Sequence, residues 1–239
     1  MIKFIKLAFE NMDYQLKLNQ ILDEFKKKDI SLDSYQKDIT EKILLLAIKI
    51  KDETPFKIFT KAEYGLYLHG SVGRGKTLIT KTYLRELKRD DIKSFHYIDL
   101  MSYIHDQLNK NFGVKNPLSK IAKTLTKDTS IIFIDEFQVE DVADAMIIGD
   151  LLKLISEHGT KIILTSNAHP NDLYLDGLQR QKFLASLKIF LKNVNIHKLD
   201  GDIDYRTRNI IKFDEHDSNK IISDEEIFKF IIDNFGLDQ

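Results

Sequence analysis

The chain of 239 residues contains no cysteine. Disulfides, iron–sulfur clusters and thiolate zinc sites are therefore excluded, and the composition fits a reducing compartment. Charge of either sign is hardly in excess. Lys and Arg total 36 against 37 Asp and Glu, a net charge of −1, so no global field draws the protein to nucleic acid or to an anionic membrane. Long apolar runs are missing too. The longest, Ile43 to Ile48, is far short of the roughly 20 residues that a membrane-spanning helix needs. The first residues, Met1-Ile2-Lys3-Phe4-Ile5-Lys6-Leu7, are broken by lysines and followed by Glu10 and Asp13, which makes a poor signal or transit peptide. The expected location is the cytoplasm. The seven histidines show no H-E-x-x-H or similar metal spacing and read as structural or solvent-exposed. His96 and His105, on either side of a strand-to-helix step, are the two of interest. No [NT]-K-x-D element is present, which a guanine-reading GTPase would carry. Repeats and low-complexity stretches are absent as well.

What is present begins with Gly70-Ser71-Val72-Gly73-Arg74-Gly75-Lys76-Thr77, a fit to G-x-x-x-x-G-K-[ST]. Glycines at this spacing let successive backbone N–H groups turn toward one anion, and the following helix adds its positive end. Lys76 is placed to reach the β- and γ-phosphates of a nucleotide, and the Thr77 hydroxyl to help hold Mg²⁺. The context agrees: Tyr64 to His69 reads as a strand and Thr77 to Lys88 as a helix. The alternative is a glycine-rich turn without a ligand.

Further along, Ile131-Ile132-Phe133-Ile134 is a short, wholly apolar run, as expected of a parallel strand covered on both faces. It ends in Asp135-Glu136, at the strand edge where open α/β sheets bind their ligands. Asp135 is the expected Mg²⁺ partner and Glu136 the expected acceptor of a proton from attacking water. An apolar run followed by two acids carries little by itself. Joined to the phosphate loop it points to a nucleotide hydrolase.

The rest of the chain alternates strands and helices. Residues 1 to about 29 and Ser31 to Lys51 read as helices, the latter region closed by Pro55. A strand is expected over Lys93 to Asp99, with a helix from about Leu100 to Asn109 and a short helix reaching about Leu125. Asp141 to His158 reads as an amphipathic helix that Gly159 can end. A strand over Lys161 to Thr165, a helix from about Gln179 to Leu191 and a fifth strand over Asn193 to Leu199 follow. The expected fold is therefore α/β, a P-loop NTPase core with a parallel five-stranded sheet covered by helices. Its expected divisions are a helical N-terminal extension over 1–55, the core over 56–200, and a short C-terminal segment or reduced lid over 201–239 with a helix at Asp224 to Phe235.

Two more residues are candidates. Asn167 ends the strand after the Asp-Glu strand, where ring-forming ATPases use a polar residue to sense the γ-phosphate and place water, although asparagine is also common in turns. Arg180, in Gly177-Leu178-Gln179-Arg180, stands where such ATPases often carry an arginine that reaches a neighbour's γ-phosphate. An arginine ahead of an apolar helix is otherwise an ordinary surface residue.

Together these segments resemble the ZapE-type AAA+ ATPases, bacterial cell-division ATPases with mitochondrial relatives. The resemblance runs from about Asp33 to Arg206. It rests on Asp33-Ser34-Tyr35-Gln36, on Gly65 to Thr77, and above all on Asp135-Glu136-Phe137-Gln138-Val139-Glu140-Asp141-Val142-Ala143-Asp144-Ala145-Met146. Thr165-Ser166-Asn167, Asp172-Leu173-Tyr174, Gly177 to Arg180 and Asp204-Tyr205-Arg206 continue it. The resemblance implies ATP hydrolysis with Mg²⁺, a homo-oligomer, action on a partner protein such as the division protein FtsZ, and an adenine contact near Gln36. It departs from the family at Ala168, Ile98, Asn116 and Ala185. About 34 residues follow Tyr205, short for the usual helical lid, in which Arg206 or Arg208 is a candidate sensor. The competing class is a nucleic-acid-handling ATPase such as a helicase loader, whose expected basic stripe is not evident in the near-neutral charge.

Overall fold

The computed structural model describes residues 16–27, 30, 32–51 and 64–199. The expected helix at 224–235, the lid segment, Arg206 and Arg208 lie outside them, as do residues 1–15 of the first helix. In chain order the described elements are helix α1 (16–27), α2 (Ser34–Lys51), β1 (Gly65–His69), α3 (Lys76–Glu86), β2 (Ile92–His96), α4 (Tyr97–Lys110), α5 (Pro117–Thr126), β3 (Ile131–Asp135), α6 (Val142–Glu157), β4 (Lys161–Ser166), α7 (Arg180–Leu191) and β5 (Val194–Lys198).

The five strands form one parallel sheet in the order β2-β3-β4-β1-β5. Every residue of β3, β4 and β1 is buried, whereas β2 and β5, at the edges, are partly exposed. That is why the central strands are continuous apolar runs without alternation. Two different faces are being covered, and the two-residue period of a strand sorts them. Ile132, Ile134, Ile162, Leu164 and Tyr67 join one core with Leu100 and Ile104 of α4, Ile121 of α5, Ile148 and Leu152 of α6, and Phe183 and Phe190 of α7. Ile131, Phe133, Ile163, Leu66 and Leu68 join the other with Phe25 of α1, Ile39 and Ile43 of α2, and Ile79 and Tyr83 of α3. The helices expected as an N-terminal extension thus share an apolar core with the sheet.

Gly65 shows how closely the central strands approach: a Cβ built there would stand 1.7 Å from the Ile162 carbonyl oxygen.

Two boundaries differ from those the hydrophobic pattern predicts, the end of β2 and the start of α2. Tyr97-Ile98-Asp99 was expected to prolong β2, but the strand stops at His96, which caps α4 in extended conformation. Asp99 then falls in the first helical turn, where a negative charge meets the positive helix end. Asp141 caps α6 by accepting the Asp144 N–H at 2.9 Å. α2 opens at Ser34 rather than Ser31 because Asp33 and Gln36 close a reciprocal cap: Asp33 Oδ1 accepts the Gln36 N–H at 2.8 Å, and Gln36 Oε1 accepts the Asp33 N–H at 3.1 Å.

At the opposite end of the sheet from the carboxyl edge, Arg89 ties α2 to the start of β2. Its guanidinium donates to both Asp91 carboxylate oxygens at 2.8 and 2.6 Å, to Ser130 Oγ at 2.7 Å and to the Ala47 carbonyl at 3.2 Å. The Arg89 hydrogen bonds lower the Asp91 pKa from 3.8 to about 2. A group depressed on folding stabilises fully above its unfolded pKa and loses that contribution as pH falls through the folded one. The melting temperature of wild type should therefore exceed that of Asp91→Asn near neutral pH, and the gap should narrow steadily as pH drops from about 4 toward 2. A gap that stays constant across that range would show that the ion pair adds nothing.

Candidate active site

All five strands run parallel, so their carboxyl ends share one edge, and register sets β1 to β4 level there: His96 pairs with Asp135 and His69 with Ser166. The loop 70–75 leaves β1 at that edge and delivers α3. Gly73 and Gly75 have φ of 85° and 80°, a left-handed conformation that favours glycine and lets the chain coil back on itself. Gly75 caps α3, whose first turn holds no acidic residue, so its positive end is not neutralised from within the helix.

Lys76 is 8% exposed, and its ammonium donates to the Gly70 carbonyl at 2.7 Å, the Ser71 carbonyl at 2.9 Å and Asn167 Oδ1 at 3.0 Å. The loop lysine and the residue that follows β4, 91 positions apart, thus meet directly. Arg74 Nη1 is buried and makes no hydrogen bond. A loop with a buried ammonium, an unpartnered guanidinium nitrogen and an unneutralised helix end is the chemistry of a polyphosphate cradle.

Asp135 lies beside it. By strand period it shares the face of Phe133 and Ile131, which is the face α3 covers. Thr77 Oγ1 donates to its Oδ1 at 2.8 Å, Thr165 Oγ1 to the same oxygen at 2.5 Å, and Lys81 Nζ pairs with Oδ2 at 2.9 Å. Burial alone pushes the Asp135 pKa up, but the hydrogen bonds from Thr165, Lys81 and Thr77 and the Lys81 charge outweigh it, so the carboxyl is held below its usual range. A hydroxyl and a charged carboxylate in contact form an oxygen-only donor set that suits a hard cation such as Mg²⁺.

Glu136 is different in kind. It is a non-glycine residue at φ 53°, a strained conformation, and its side chain is 63% exposed. The residues around it hold it there. Thr165 Oγ1 accepts the Glu136 N–H at 3.2 Å, and the next residue, Phe137, is fully buried, with its N–H on the Thr165 carbonyl at 2.7 Å and its own carbonyl accepting from Ser166 Oγ at 2.7 Å. Tyr97 and Tyr67 meet the Phe137 ring edge-on at 5.3 and 6.3 Å. The Glu136 carboxylate pairs with His96 Nε2 at 3.1 Å. His105, the other histidine of interest, bonds Asp144 at 2.7 Å between α4 and α6, away from these groups.

Lys76, Thr77, Asp135 and Asn167 are therefore brought into contact, with Glu136 on the same edge. Arg180 is not among them. It is the first residue of α7 and donates to the Asn171 carbonyl and, at 3.3 Å, to the Leu173 carbonyl, stapling the loop that follows β4. A cavity of about 710 Å³ separates that loop from the one after β3, lined among others by Glu140, Asn167, Tyr174 and Asp176. Gln36, near which the adenine contact is expected, has both ends of its amide engaged: Nε2 donates to the Arg74 carbonyl at 3.1 Å and Oε1 takes part in the α2 cap. Lys81 and Thr165 are the donors that sequence reasoning did not assign. Lys81 stands one helical turn after Thr77 on α3, a spacing that could have flagged it. Thr165 reaches Asp135 only through the β3–β4 pairing.

Strand order, loop and paired acids together define a P-loop NTPase core of the AAA+ type. Solved structures share the fold: AMPPCP-bound DnaA from Aquifex aeolicus matches with a TM-score of 0.51 at 16% identity, over 87% of this chain and 59% of that one. Domain III of the Thermotoga maritima replication initiation protein DnaA matches with a TM-score of 0.52 at 12% identity, over 87% and 79%. The sequence profile of the AFG1-like ATPases matches residues 13–226, and the chain belongs to that family. Among its relatives, the Escherichia coli K12 cell division protein ZapE is 34% identical over 146 residues, 61% of this chain and 39% of that protein. Lactation elevated protein 1 homolog B of Danio rerio is 32% identical over 155 residues, 60% of this chain and 31% of that protein. The matches therefore span well under half of these relatives' lengths. No helix among the described residues is long and apolar enough to cross a membrane.

Thr165 generates a test that needs no nucleotide. Thr165→Val should remove one donor from the buried Asp135 carboxylate and the acceptor of the strained Glu136 amide, costing about 1–3 kcal/mol in urea unfolding. Thr165→Ser, which keeps the hydroxyl, should recover most of that loss.

Proposed function

We propose that this protein hydrolyses ATP with Mg²⁺ and uses the cycle to remodel a partner protein as part of a homo-oligomer. The observation that carries the reading is the meeting of Lys76 with Asn167 beside the Thr77–Asp135 pair. One edge of the sheet then offers a polyphosphate cradle and an oxygen donor set for a cation side by side. Thr77 and Asp135 are the residues that would hold Mg²⁺, which when bound supplies charge neutralisation across the β- and γ-phosphates.

In this reading Lys76 leaves the Gly70 and Ser71 carbonyls to lie along the phosphates while Asn167, at the end of β4, faces the terminal phosphate. The loop's N–H groups and the α3 end orient the chain of phosphates, which is most of what phosphoryl transfer asks of a protein. Glu136 takes the proton of the attacking water. Its Oε2 is paired with His96 and its Oε1 has no such partner among the described residues, so an oxygen is open to accept that proton. ATP is preferred over GTP because no guanine-reading element is present, and a chain without cysteine suits the cytoplasm. By family resemblance the partner is a division protein such as FtsZ. The nucleic-acid-handling alternative has only likeness of fold behind it.

Lys76→Ala should weaken both ATP binding and turnover. Glu136→Gln should keep ATP bound while turnover falls by roughly 10²–10⁴. Calorimetry beside phosphate release separates the two, and an undiminished rate in Glu136→Gln would remove that residue from the chemistry.

Arg180 is assigned to a neighbouring subunit's γ-phosphate, exchanging its bonds to the Asn171 and Leu173 carbonyls for that contact. An arginine supplied across an interface is worth about 10³–10⁵ in turnover. Arg180→Ala should bind ATP normally and hydrolyse poorly, and mixing it with Glu136→Gln should restore part of the rate. A monomer by light scattering that hydrolyses ATP undiminished would return Arg180 to its role as a loop staple.

A further inference from the structure

Gln36 is 2% exposed, carries a polar side chain, and lies 38 residues before the loop carbonyl that it contacts. Both ends of its amide are engaged by partners that leave no freedom of assignment. Oε1 accepts the Asp33 N–H at 3.1 Å and Nε2 donates to the Arg74 carbonyl at 3.1 Å. Turning the amide over would set oxygen against carbonyl oxygen and nitrogen against N–H, so only one orientation satisfies both. The base of the side chain is equally constrained. Its backbone N–H is capped by Asp33, its carbonyl accepts from Thr40 Oγ1 at 2.9 Å, and the next turn of α2 buries Ile39 and Ile43 against Ile79 and Tyr83 of α3.

We infer that Gln36 is a positioning residue of the phosphate loop, and that through it α2 becomes part of the nucleotide site. The inference rests on the reading of that loop as the ATP cradle. Its physical basis is the planarity of the peptide bond. In a trans peptide the C=O and the following N–H point in opposite directions. Holding the Arg74 carbonyl toward α2 therefore aims the Gly75 N–H to the other side of the loop. Such a hold is needed at this place. Gly75 sits at φ 80°, and glycine moves among backbone conformations more freely than any other residue. Without an external bond the Arg74–Gly75 peptide plane is free to turn, and an N–H that turns cannot be a preorganised phosphate donor. A Cβ at position 75 would also come within a tight 3.2 Å of Gln36 Nε2, beyond the strain that φ 80° puts on any residue with a side chain.

A role confined to capping α2 makes a different prediction, and two variants separate the roles. Asp33→Ala removes the side chain that caps the Gln36 N–H but leaves the bond to Arg74. Gln36→Met preserves the side chain's length and removes both the donor to Arg74 and the acceptor of the Asp33 N–H, so it loses half of the α2 cap, as Asp33→Ala does, and in addition the bond to Arg74. With both variants verified as folded by circular dichroism, the inference expects Gln36→Met to bind ATP about tenfold more weakly by calorimetry, the worth of one well-made hydrogen bond. It expects Asp33→Ala to bind within about threefold of wild type, whatever each loses in melting temperature. At saturating ATP, kcat of Gln36→Met should stay within about threefold of wild type, so that the loss appears in KM. A second readout uses no nucleotide: amide exchange at Gly75, followed by NMR, should be faster in Gln36→Met and unchanged in Asp33→Ala. Wild-type affinity and wild-type exchange in Gln36→Met would overturn the inference, as would equal losses in the two variants. If wild type itself fails to bind ATP, the reading of the loop falls, and the exchange measurement still decides whether Gln36 holds it.

Discussion

Asp135 is a carboxylate at 1% exposure, and a charge removed from water is stable only with donors around it. Those donors come from α3 through Thr77 and Lys81 and from β4 through Thr165. The need to satisfy one buried charge thus binds the phosphate-loop helix, the acid-bearing strand and the strand that precedes Asn167 at a single point. Lys76 repeats the arrangement with opposite sign, its ammonium shared between the loop carbonyls and Asn167. The two opposite charges are held in neighbouring nests of oxygen and hydroxyl groups, where a nucleotide and its cation would exchange partners with them.

The two faces of the sheet have divided the work. α3 and α2 share the face that carries Asp135, and both touch the phosphate loop, one as its continuation and the other through Gln36. α4, α6 and α7 cover the other face, where Phe137 is wedged beneath Tyr97 and Tyr67 and fixes the turn that leaves Glu136 exposed. The buried Asp135 and the exposed Glu136 are adjacent in sequence, and strand alternation followed by a left-handed residue gives them unlike environments. One is buried and held by three donors, the other is open to solvent.

Much of this was legible in the chain. Glycine spacing in 70–77, the wholly apolar run before Asp135 and the alternation of strands with helices specify a parallel sheet with a loop at its carboxyl edge, because each is a local pattern with a local physical cause. Strand and helix limits were less legible. β2 ends at His96, and the apolar Tyr97-Ile98 pair opens α4 with Asp99 in its first turn, a choice between strand and helix that the apolar pattern alone does not rank. Arg180 was legible as an arginine ahead of a helix, but its bonds to the Asn171 and Leu173 carbonyls depend on how the loop after β4 folds back.

The sequence by itself determined the class of fold, the identity of the phosphate loop and the placing of Asp135 on the same strand face as Ile131 and Phe133, since a strand has a period of two whatever surrounds it. Only the tertiary structure decided which helices cover that face. The strand order β2-β3-β4-β1-β5 sets β4 between the acid strand and the loop strand, and so chooses Thr165 as donor to Asp135 and Asn167 as partner of Lys76. It likewise brought Gln36 to the Arg74 carbonyl. Each of these contacts joins residues 30 or more positions apart, and no local propensity encodes such a meeting. It follows from packing two apolar helix layers on one twisted sheet.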